Sequence, residues 1–543
     1  MITLATAAQM RELDRVAIEE RGIPSLELME NAADAAAEAM WELLAERWGT
    51  ERTVEGASDV SEGKEYVKSR DGKGRARVIV FCGPGNNGGD GVAAARLLME
   101  RGCEVRAYLI GKRSSMTPDC REMEKRLIEA GGALEDFDPR ERMCRVWLSG
   151  CDGVVDALFG VGLNREVTGD FKTAIQWINR VGYRVPVVSC DIPSGIHADT
   201  GEVLGEAVNA DVTVTFSCGK PGLYLNEGRP HAGEVRIADI GIPFDLERDM
   251  IWHQPEQVQL CLADEMRPLP RRPRTAHKGD FGKVFILAGS EGYTGAPVLA
   301  ANAAVRSGAG LVFLGVPRNI YPIAAVKCDE AMPFPLMEEY SAILEKARGC
   351  DIALIGPGLG RAKETEELVH ALLRDLEIPV VLDADGLNAV SGHIDILDRR
   401  TAPTVLTPHD GEFQRLIGEM PAQGNRLELA REFAKAHGCV LVLKGHTTIT
   451  AASDGRTILN TSGNPGMAKG GCGDVLAGML AGFLGQKHLE RHQTDLAERV
   501  ASVVFYHGRV GDLCAARLGE YGMTPSDMLG ELPAFLKTQE SQK

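Results

Sequence analysis

The chain has 543 residues, of which 44% are hydrophobic and 25% are charged, and its formal net charge is −17. This length is too great for one hydrophobic core and favours about two to four domains. The acidic balance argues against a nucleic-acid-binding face, which needs clustered lysine and arginine. It leaves nucleotides open, because backbone amides and a single lysine can bind phosphate in an acidic protein.

The thirteen cysteines are scattered along the chain and never form a C-x-x-C pair. Their odd number, and the apolar surroundings of Cys82, Cys190 and Cys439, predict reduced, buried thiols in a cytoplasmic protein. A zinc site is not expected. The N-terminus has no basic region followed by an apolar run, so no signal peptide is expected. The apolar run 475–484 is too short and too rich in glycine to be a membrane span.

Two helices are predicted at the start, over Ala8–Glu20 and Ser25–Trp48, because apolar residues recur there with helical spacing. The polar stretch Thr50–Arg77 is interpreted as an exposed insertion. Strand and helix patterns then alternate through Val78–Cys82, Gly89–Arg101, Glu104–Ile110, Pro118–Ala130, Gly153–Leu158, Phe171–Arg180, Val185–Cys190 and Asp211–Phe216. Short apolar runs between amphipathic helices predict an α/β fold with a mostly parallel, Rossmann-like sheet covered on both faces.

A second α/β domain is predicted after a stretch rich in proline and arginine, residues 243–277, which is interpreted as a linker. The predicted domains are therefore 1–242 and 278–536. Alternation resumes through Lys283–Ala288, Asp351–Ile355, Val380–Leu382, Thr404–Leu406 and Val440–Leu443, and ends in helices around Asp474–Leu484 and Asp495–Leu518. The two halves share this style but not the order of their motifs.

The first glycine segment, Gly83–Gly91, lies between a predicted strand and a predicted helix and contains the run NNGGDG. Glycines there allow the backbone to approach a phosphate, and Asp90 can cap the following helix. A tight turn without a ligand is the alternative interpretation. The spacing differs from G-x-G-x-x-G, which argues against an ordinary dehydrogenase.

Three further segments end strands that should share one sheet edge: Asp156–Leu163, Asp191–Gly195 and Lys220–Leu223. The oxygen donors Asn87, Asp156 and Ser194 fit a weakly bound monovalent cation better than zinc or a divalent ion. Asp191 is the acid/base candidate because it leaves a buried strand, and a turn cap is the equally weighted alternative.

The second glycine segment, Asn464–Asp474, runs into an apolar helix. Its amides can face a transferring phosphate, and Asp474 can take a proton from an attacking hydroxyl. The alternative is a helix N-terminus capped by Asp474, with glycines that serve close packing. Upstream, Lys444 and Thr447 follow a predicted strand and can reach a nucleotide phosphate.

Three other segments follow predicted strands and fit the same cleft: Gly356–Gly360, Asp383–Asn388 and Thr407–Glu412. His409 alone would more often be structural, but Glu412 lies beside it at the same sheet edge. Arg415 is close enough in sequence to join them.

The first half resembles the NAD(P)H-hydrate epimerase domain over about residues 1–240, through MENAA, NNGGDG, DALFGVGL and SCDIPSG in that order. The resemblance implies potassium ligation by Asn87, Asp156 and Ser194, with Asp191 contacting substrate near the chemistry. It implies substrate-binding loops at Asn86, Asn87, Gly88, Gly89 and Asp90, and at Gly160, Val161, Gly162, Leu163, Asn164, Arg165 and Glu166. Val161 stands where many relatives have threonine.

The second half resembles the ribokinase-like superfamily and, within it, the ADP-dependent NAD(P)H-hydrate dehydratases. HKGDFG, RSGAGLV, IGPGLG, DADGLN, TPHDGE and NPGMAKGGCGD carry this resemblance over about residues 278–536. It implies hydrate contacts at Gly310, His409, Asp410, Gly411, Glu412, Phe413, Gln414, Arg415 and Asp474. It implies nucleotide contacts at Lys444, Gly445, His446, Thr447, Thr448, Asn464, Pro465, Gly466, Met467, Ala468, Lys469, Gly470, Gly471, Cys472 and Gly473. Relatives commonly have proline where Asp410 stands, and serine or threonine where Cys472 stands.

Together the two resemblances imply a bifunctional repair enzyme that acts on the hydrates NADHX and NADPHX. One half would equilibrate the R and S forms with K⁺ bound. The other would dehydrate the S form with ADP and Mg²⁺, giving AMP and phosphate. We expect catalytic roles for Asp191 and Asp474, and a cytoplasmic homo-oligomer without nucleic-acid or membrane partners. The alternatives are a small-molecule hydroxyl kinase in the second half and a non-catalytic nucleotide-binding module in the first.

Overall fold

The structure is a computed structural model that describes residues 1–52, 65–263, 266–336, 339–418 and 425–540. It divides into two compact units, Thr3–Gln254 and Met1–Ile2 with Pro255–Lys543. Among the described residues, no helix is long and apolar enough to cross a membrane. All thirteen cysteines are buried and unpaired.

The N-terminal part of the chain contains ten strands and eight helices within the described ranges. The strands are β1 (Ile2–Leu4), β2 (Thr50–Arg52), β3 (Glu65–Val67), β4 (Arg77–Cys82), β5 (Glu104–Leu109), β6 (Leu134–Asp136), β7 (Gly153–Ala157), β8 (Val187–Cys190), β9 (Val212–Phe216) and β10 (Glu234–Ala238). The helices are α1 (Ala7–Arg15), α2 (Ser25–Trp48), α3 (Asn86–Glu100), α4 (Pro118–Glu129), α5 (Arg142–Gly150), α6 (Gly169–Gly182), α7 (Gly228–Ala232) and α8 (Phe244–Glu247).

Seven of these strands form one parallel sheet in the order β10-β9-β8-β7-β4-β5-β6. The interior strand β4 is buried on both faces: Val78, Val80 and Cys82 belong to one apolar cluster, whereas Ile79 and Phe81 belong to another. This alternation follows from the two-residue period of a strand. The α/β fold predicted from short apolar runs and amphipathic helices is confirmed.

The stretch interpreted as an exposed insertion is only partly exposed. β2 and β3 pair in antiparallel orientation. Val67 and Ala76 are completely buried in the apolar cluster that also contains Val78. These two apolar side chains flank a short turn. The polar composition of the surrounding stretch hid them in the sequence. Residues 53–64 of the proposed insertion lie outside the described residues.

The second unit has an eleven-stranded sheet with the order β1-β11-β20-β19-β18-β17-β16-β15-β12-β13-β14. Its further strands are β11 (Val258–Cys261), β12 (Lys283–Leu287), β13 (Leu311–Val316), β14 (Met332–Pro335), β15 (Ile352–Ile355), β16 (Val380–Leu382), β17 (Thr404–Leu406), β18 (Val440–Leu443), β19 (Thr448–Ala451) and β20 (Thr457–Asn460). β19 runs antiparallel to its neighbours β18 and β20. The other pairs among β11 to β20 are parallel.

The helices of the second unit cover this sheet. They are α9 (Gly295–Arg306), α10 (Tyr321–Lys327), α11 (Tyr340–Arg348), α12 (Lys363–Asp375), α13 (Asp385–Val390), α14 (Asp395–Asp398), α15 (Asp410–Ile417), α16 (Arg426–Ala436), α17 (Cys472–Leu484), α18 (Lys487–His492), α19 (Leu496–Leu518) and α20 (Pro525–Gln539). α17 packs closely on α9, because a Cβ at Gly478 would lie 2.2 Å from the carbonyl oxygen of Ala300. Such an approach requires glycine.

The stretch interpreted as a linker contains regular structure. β11 lies inside it and pairs with β20, with Val258 and Leu260 buried. β11 has only four residues, and prolines and charged residues lie on both sides of it. A pattern this short does not allow a strand to be recognised from sequence.

Candidate active sites

The first glycine segment forms the start of α3 rather than a loop before it. The N-cap of this helix is Gly85, so the prediction that Asp90 caps it is wrong, and Asp90 lies buried inside the helix. A Cβ at Gly88 would lie 1.7 Å from the carbonyl oxygen of Gly83, and one at Gly91 would lie 2.4 Å from the Cβ of Ala157. These glycines therefore let α3 pack onto the strand ends, and its first amides remain suited to an anion.

Asp191, directly after β8, is held by an ion pair that the sequence analysis did not identify. Its Oδ1 lies 2.6 Å from the Nζ of Lys220, a side chain that is only 1% exposed. Lys220 also donates to the Oγ1 of Thr215 at 2.9 Å and to the carbonyl oxygen of Phe216 at 3.0 Å. All three ammonium protons thus have acceptors, so the lysine orients the Asp191 carboxylate rigidly.

The other oxygen of Asp191 reaches the second predicted substrate loop. Its Oδ2 accepts a hydrogen bond from the backbone N–H of Val161 at 3.2 Å, thirty residues away along the chain. Asp191 has a φ of 65°, in the left-handed region that is costly for a non-glycine residue. The backbone at this position is therefore strained, and its side chain bonds to a distant loop instead of capping its own turn.

Asp156 and Ser194 form a buried polar pair beside this carboxylate. Asp156 Oδ1 accepts from the Ser194 hydroxyl at 2.6 Å, and Oδ2 accepts from the Ser194 N–H at 2.9 Å and from the Ser189 hydroxyl at 2.8 Å. Complete burial raises the pKa of Asp156, and the serine hydrogen bonds oppose that rise. The structure therefore brings these two predicted cation ligands together.

Asn87, the third predicted cation ligand, has an unusual environment. Both its amide nitrogen and its amide oxygen are buried without a hydrogen-bond partner among the residues that the structure describes. A Cβ at Gly160 would lie 3.4 Å from Asn87 Oδ1 and 2.9 Å from Asp191 Oδ2. Asn87 and Asp191 thus approach the same side of Gly160.

The rest of the predicted loop 160–166 divides between core and surface. Leu163 is buried in the apolar core, whereas Gly162, Asn164, Arg165 and Glu166 are exposed. Gly160 and Val161 are the loop residues that lie close to Asp191: Gly160 faces its Oδ2 atom, and the N–H of Val161 donates to that atom.

Sequence reasoning also missed Asp14. This side chain lies on α1, outside every motif that the sequence analysis singled out. Burial raises the pKa of Asp14 to about 6, with Lys220 lowering it and Asp191 raising it. Lys220 had a visible signal, since a lysine at a strand end beside Pro221 and Gly222 stood out in the sequence.

The second glycine segment begins α17 at a left-handed glycine. Gly471 is the N-cap, with a φ of 103°, so the alternative that Asp474 caps this helix is wrong. Asp474 lies in the first turn, and burial raises its pKa to about 6, with Asp383 adding to the rise and Lys444 opposing it. A carboxylate whose pKa is raised in this way accepts a proton more readily than an ordinary surface aspartate.

Lys444 is the charged centre of this second site. Its Nζ lies 3.1 Å from Asp383 Oδ1 and 3.8 Å from Glu412 Oε2. Burial lowers the pKa of Lys444, but the carboxylates of Asp383, Glu412 and Asp474 outweigh this and raise it. Thr407 donates its hydroxyl to the same oxygen, Asp383 Oδ1, at 2.7 Å.

His409 and Glu412 take part in a capping box at the start of α15. His409 Nδ1 accepts from the N–H groups of Gly411 and Glu412 at 3.0 and 3.3 Å, and Glu412 Oε2 accepts from the N–H of His409 at 2.9 Å. Phe413 is completely buried, whereas Gln414 and Arg415 are exposed. Arg415 Nε donates to Asn388 Oδ1 at 2.8 Å, which joins two of the predicted motifs.

The two predicted nucleotide segments approach each other at Lys444. A Cβ at Gly473 would lie 3.6 Å from the Nζ of Lys444. The Nζ of Lys469 instead donates to the carbonyl oxygens of Tyr521 and Met523, at 2.8 and 2.6 Å. Lys469 thus fastens the second glycine segment to the turn before α20.

Other members of these predicted sets have local structural roles. Asn464 Oδ1 accepts from the N–H of Gly466 at 3.0 Å, so Asn464 caps its own turn. A Cβ at Gly310 would lie 1.7 Å from the carbonyl oxygen of Lys278, so this position requires glycine for packing. Thr447 is buried, whereas Gly445 and His446 are exposed.

His507 was missed because it lies within the apolar pattern of α19. Its Nε2 lies 2.9 Å from the carbonyl oxygen of Cys472, in the first turn of α17. Burial lowers the pKa of His507 to about 4, with the Cys472 carbonyl opposing and Lys444 adding to the effect. The ring is therefore neutral at pH 7 and donates from Nε2, because a carbonyl oxygen only accepts.

Comparison with known proteins identifies both halves. Residues 25–222 match the family described as YjeF-related protein N-terminus, and residues 284–534 match the family described as NAD(P)H-hydrate dehydratase. The ADP/ATP-dependent NAD(P)H-hydrate dehydratase of Bacillus subtilis, crystallised with ATP and Mg²⁺, is 32% identical. That match covers 50% of this chain and 95% of the other, with a TM-score of 0.43.

Relatives that span both halves are similar along nearly the whole chain. The bifunctional NAD(P)H-hydrate repair enzyme Nnr of Moorella thermoacetica is 38% identical, over 99% of this chain and 97% of the relative. The protein of the same name from Escherichia coli is 34% identical, over 86% of each chain. The chain belongs to the family of bifunctional NAD(P)H-hydrate repair enzymes.

Proposed function

We propose that the first unit interconverts the R and S hydrates of NADH and NADPH at the site around Asp191, and that the second unit dehydrates the S hydrate with ADP at the site around Asp474. The observation that carries the proposal is that each unit has a lysine paired with a buried carboxylate, Lys220 with Asp191 in the first and Lys444 with Asp383 in the second. Asp191 faces Lys220 at 2.6 Å, and Asp474 interacts with the Lys444 cluster. A fused chain of this family needs one such site for each step.

In the first site the reacting group is a hydroxyl at C6 of the hydrated nicotinamide ring, beside the ring nitrogen. The nitrogen lone pair expels this hydroxyl, which takes a proton and leaves as water. C6 becomes planar, so water can return to either face and gives the proton back. Asp191 is suited to carry that single proton, because Lys220 and the N–H of Val161 hold both of its oxygens in place.

Potassium fits the donor set of the first site. The orphaned amide oxygen of Asn87 needs a partner, and Asp156 and Ser194 add further oxygen ligands. A bound K⁺ would supply a weak positive charge for a substrate phosphate. Asn87, Asp156 and Ser194 are the residues that would hold it.

In the second site Asp474 would take the proton of the C6 hydroxyl as that oxygen attacks the β-phosphorus of ADP and AMP leaves. The phosphorylated C6 oxygen then departs as phosphate, and loss of a proton from C5 restores the double bond of NAD(P)H. Lys444, which lies beside Asp383, and the first amides of α17 would stabilise the transferring phosphoryl group. Phosphorylation converts a poor leaving group into a good one.

Magnesium would accompany the nucleotide. Among the described residues, no group of three or more His, Cys, Asp or Glu side chains is arranged to hold a metal ion. Mg²⁺ commonly binds through one or two carboxylates together with substrate phosphates and water. Asp383 is the side chain that would supply such a ligand.

The test is an assay of the purified chain with each pure hydrate and with ADP or ATP. We expect ADP to restore the absorbance of reduced nicotinamide from the S hydrate, with release of AMP and phosphate. If the hydrate is left unchanged while a vitamin-type alcohol becomes phosphorylated, the second unit is a hydroxyl kinase and the proposal fails. If the R hydrate is not converted any faster than without the enzyme, the first unit is a non-catalytic module.

We also propose that the chain acts in the cytoplasm, where reduced thiols are stable and NADH, NADPH and ADP are available. The homo-oligomer expected from the sequence stays a prediction, which light scattering of the purified chain tests.

A further inference from the structure

A buried arginine outside every predicted motif connects the two halves of the second site. Arg426 is the first residue of α16 and is 8% exposed. Its Nε donates to Asp410 Oδ1 at 2.9 Å, and its Nη2 donates to the carbonyl oxygen of Lys444 at 3.1 Å. Asp410 begins α15, the proposed hydrate segment, whereas Lys444 begins the proposed nucleotide segment.

The backbone beside Lys444 is shaped to receive this guanidinium. A Cβ at Gly445 would lie 2.5 Å from Arg426 Nη2 and 3.1 Å from both Cζ and Nη1. Such contacts are closer than a side chain at that position allows, so the planar group lies directly against the Gly445 backbone. Arginine suits this place because its rigid, planar group presents two different nitrogens, Nε to the carboxylate and Nη2 to the carbonyl oxygen, in fixed directions.

The same two segments are also joined through their strand ends. Lys444 N–H donates to the carbonyl oxygen of Pro408 at 2.8 Å, and the Nζ of Lys444 lies 3.8 Å from Glu412. Of the two backbone groups of Lys444, only the N–H is bound in this way. Arg426 binds its carbonyl oxygen and so limits rotation of the peptide that leads into Gly445.

We propose that Arg426, held by Asp410, is a positioning residue shared by the nucleotide and hydrate half-sites of the second unit. It fixes the start of the segment Lys444–Thr448 against the first turn of α15, so the two half-sites keep one relative geometry. This inference rests on the proposed function of the second unit. Its consequence is that one side chain affects the affinity for both ligands.

The test compares Arg426→Gln with the unchanged chain by calorimetric titration with ADP and by steady-state kinetics with the S hydrate. We expect the Kd for ADP and the KM for the hydrate each to rise about tenfold, since both half-sites lose the same contact. Arg426→Lys should recover less than half of either loss, because one flexible ammonium group replaces the two fixed guanidinium nitrogens that face the carboxylate and the carbonyl oxygen. Asp410→Asn, which keeps an oxygen acceptor, should raise both constants about threefold.

Arg431→Gln is the matched control. Arg431 lies on the same helix, its side chain is 11% exposed, and it also donates to a backbone carbonyl, that of Gly455 at 3.0 Å. It contacts neither proposed segment, so its loss should leave both constants within twofold of the unchanged chain. Melting temperatures of the variants report any general loss of stability.

A Kd for ADP or a KM for the hydrate that stays within twofold in Arg426→Gln overturns the inference, even when the melting temperature falls. The ADP titration does not depend on turnover. A chain that binds ADP but fails to dehydrate the hydrate therefore refutes the proposed function, while the Kd of Arg426→Gln still decides the inference.

Discussion

The two glycine segments have similar compositions but differ in what their glycines do. In the first, Gly88 and Gly91 allow α3 to pack onto the sheet, and Asp191, the proposed acid/base, comes from another strand end. In the second, Gly471 starts α17 in a left-handed conformation, and Asp474 lies in the same helix three residues later. A run of glycines thus predicts that another group lies close to the backbone. It does not show whether that group belongs to the protein or to a ligand.

The largest expected effect separates the two units by their carboxylates. Asp474→Asn should lower the rate of ADP-dependent dehydration about a thousandfold, because the proton acceptor is lost while the shape is kept. The epimerisation rate should not change. Both rates can be followed on one preparation, and Asp454→Asn, in a surface turn of the same unit, is the control. Dehydration within fivefold of normal in Asp474→Asn would remove this residue from the mechanism.

Lys220→Met tests the ion pair that holds Asp191 in the first site. Epimerisation should fall about a hundredfold, because removing the buried cation leaves Asp191 unpaired and favours its protonated form. Dehydration of the S hydrate should stay normal. Lys68→Met, which removes an exposed lysine 3.7 Å from Glu51, is the matched control. Unchanged epimerisation in Lys220→Met would show that Asp191 does not need its ion pair.

The glycine comparison can be tested by stability. Gly88→Ala should lower the free energy of unfolding of the first unit by about 1–3 kcal/mol, because the added Cβ would lie 1.7 Å from a carbonyl oxygen. Gly470→Ala should change stability by at most about 0.5 kcal/mol, since the structure has open space around that position. Chemical denaturation of both variants measures the difference, and equal stabilities would contradict it.

A smaller effect is expected from pH. The pKa of Asp474 is raised to about 6 by burial, so a base at this position loses its proton-accepting form as the pH falls below that value. The kcat/KM for dehydration should therefore drop about tenfold per pH unit below about 6. The residual activity of Asp474→Asn should lack this limb. A wild-type profile that is flat down to pH 5 would mean that another group accepts the proton.

Much of the architecture was predictable because strands buried on both faces leave apolar runs of four to six residues, as in β4 and β18. The strand ends also placed Asp156 and Asp191 at one edge of the first sheet, where β7 and β8 are neighbours. The individual side-chain contacts of the two sites were not predictable, although Lys220 stood at the same predicted sheet edge as Asp191. Lys220 reaches Asp191 across 29 positions, and Arg426 reaches Lys444 across 18, so neither contact has a local sequence pattern.

Helix starts were the other weak point. The sequence placed the glycines before both helices, whereas α3 begins at Asn86, ahead of Gly88. Glycine has low helix propensity, but here packing against Gly83 and Ala157 outweighs that preference. Asp90 was consequently assigned to a cap although it lies within the helix.

The central claim is that the two sites perform successive steps on one substrate. Its most direct test is Asp191→Asn, supplied with ADP and with either pure R hydrate or pure S hydrate. The account predicts that the S hydrate is repaired at the normal rate, while the R hydrate is repaired only as fast as it epimerises spontaneously. Repair of the R hydrate at the wild-type rate would contradict it.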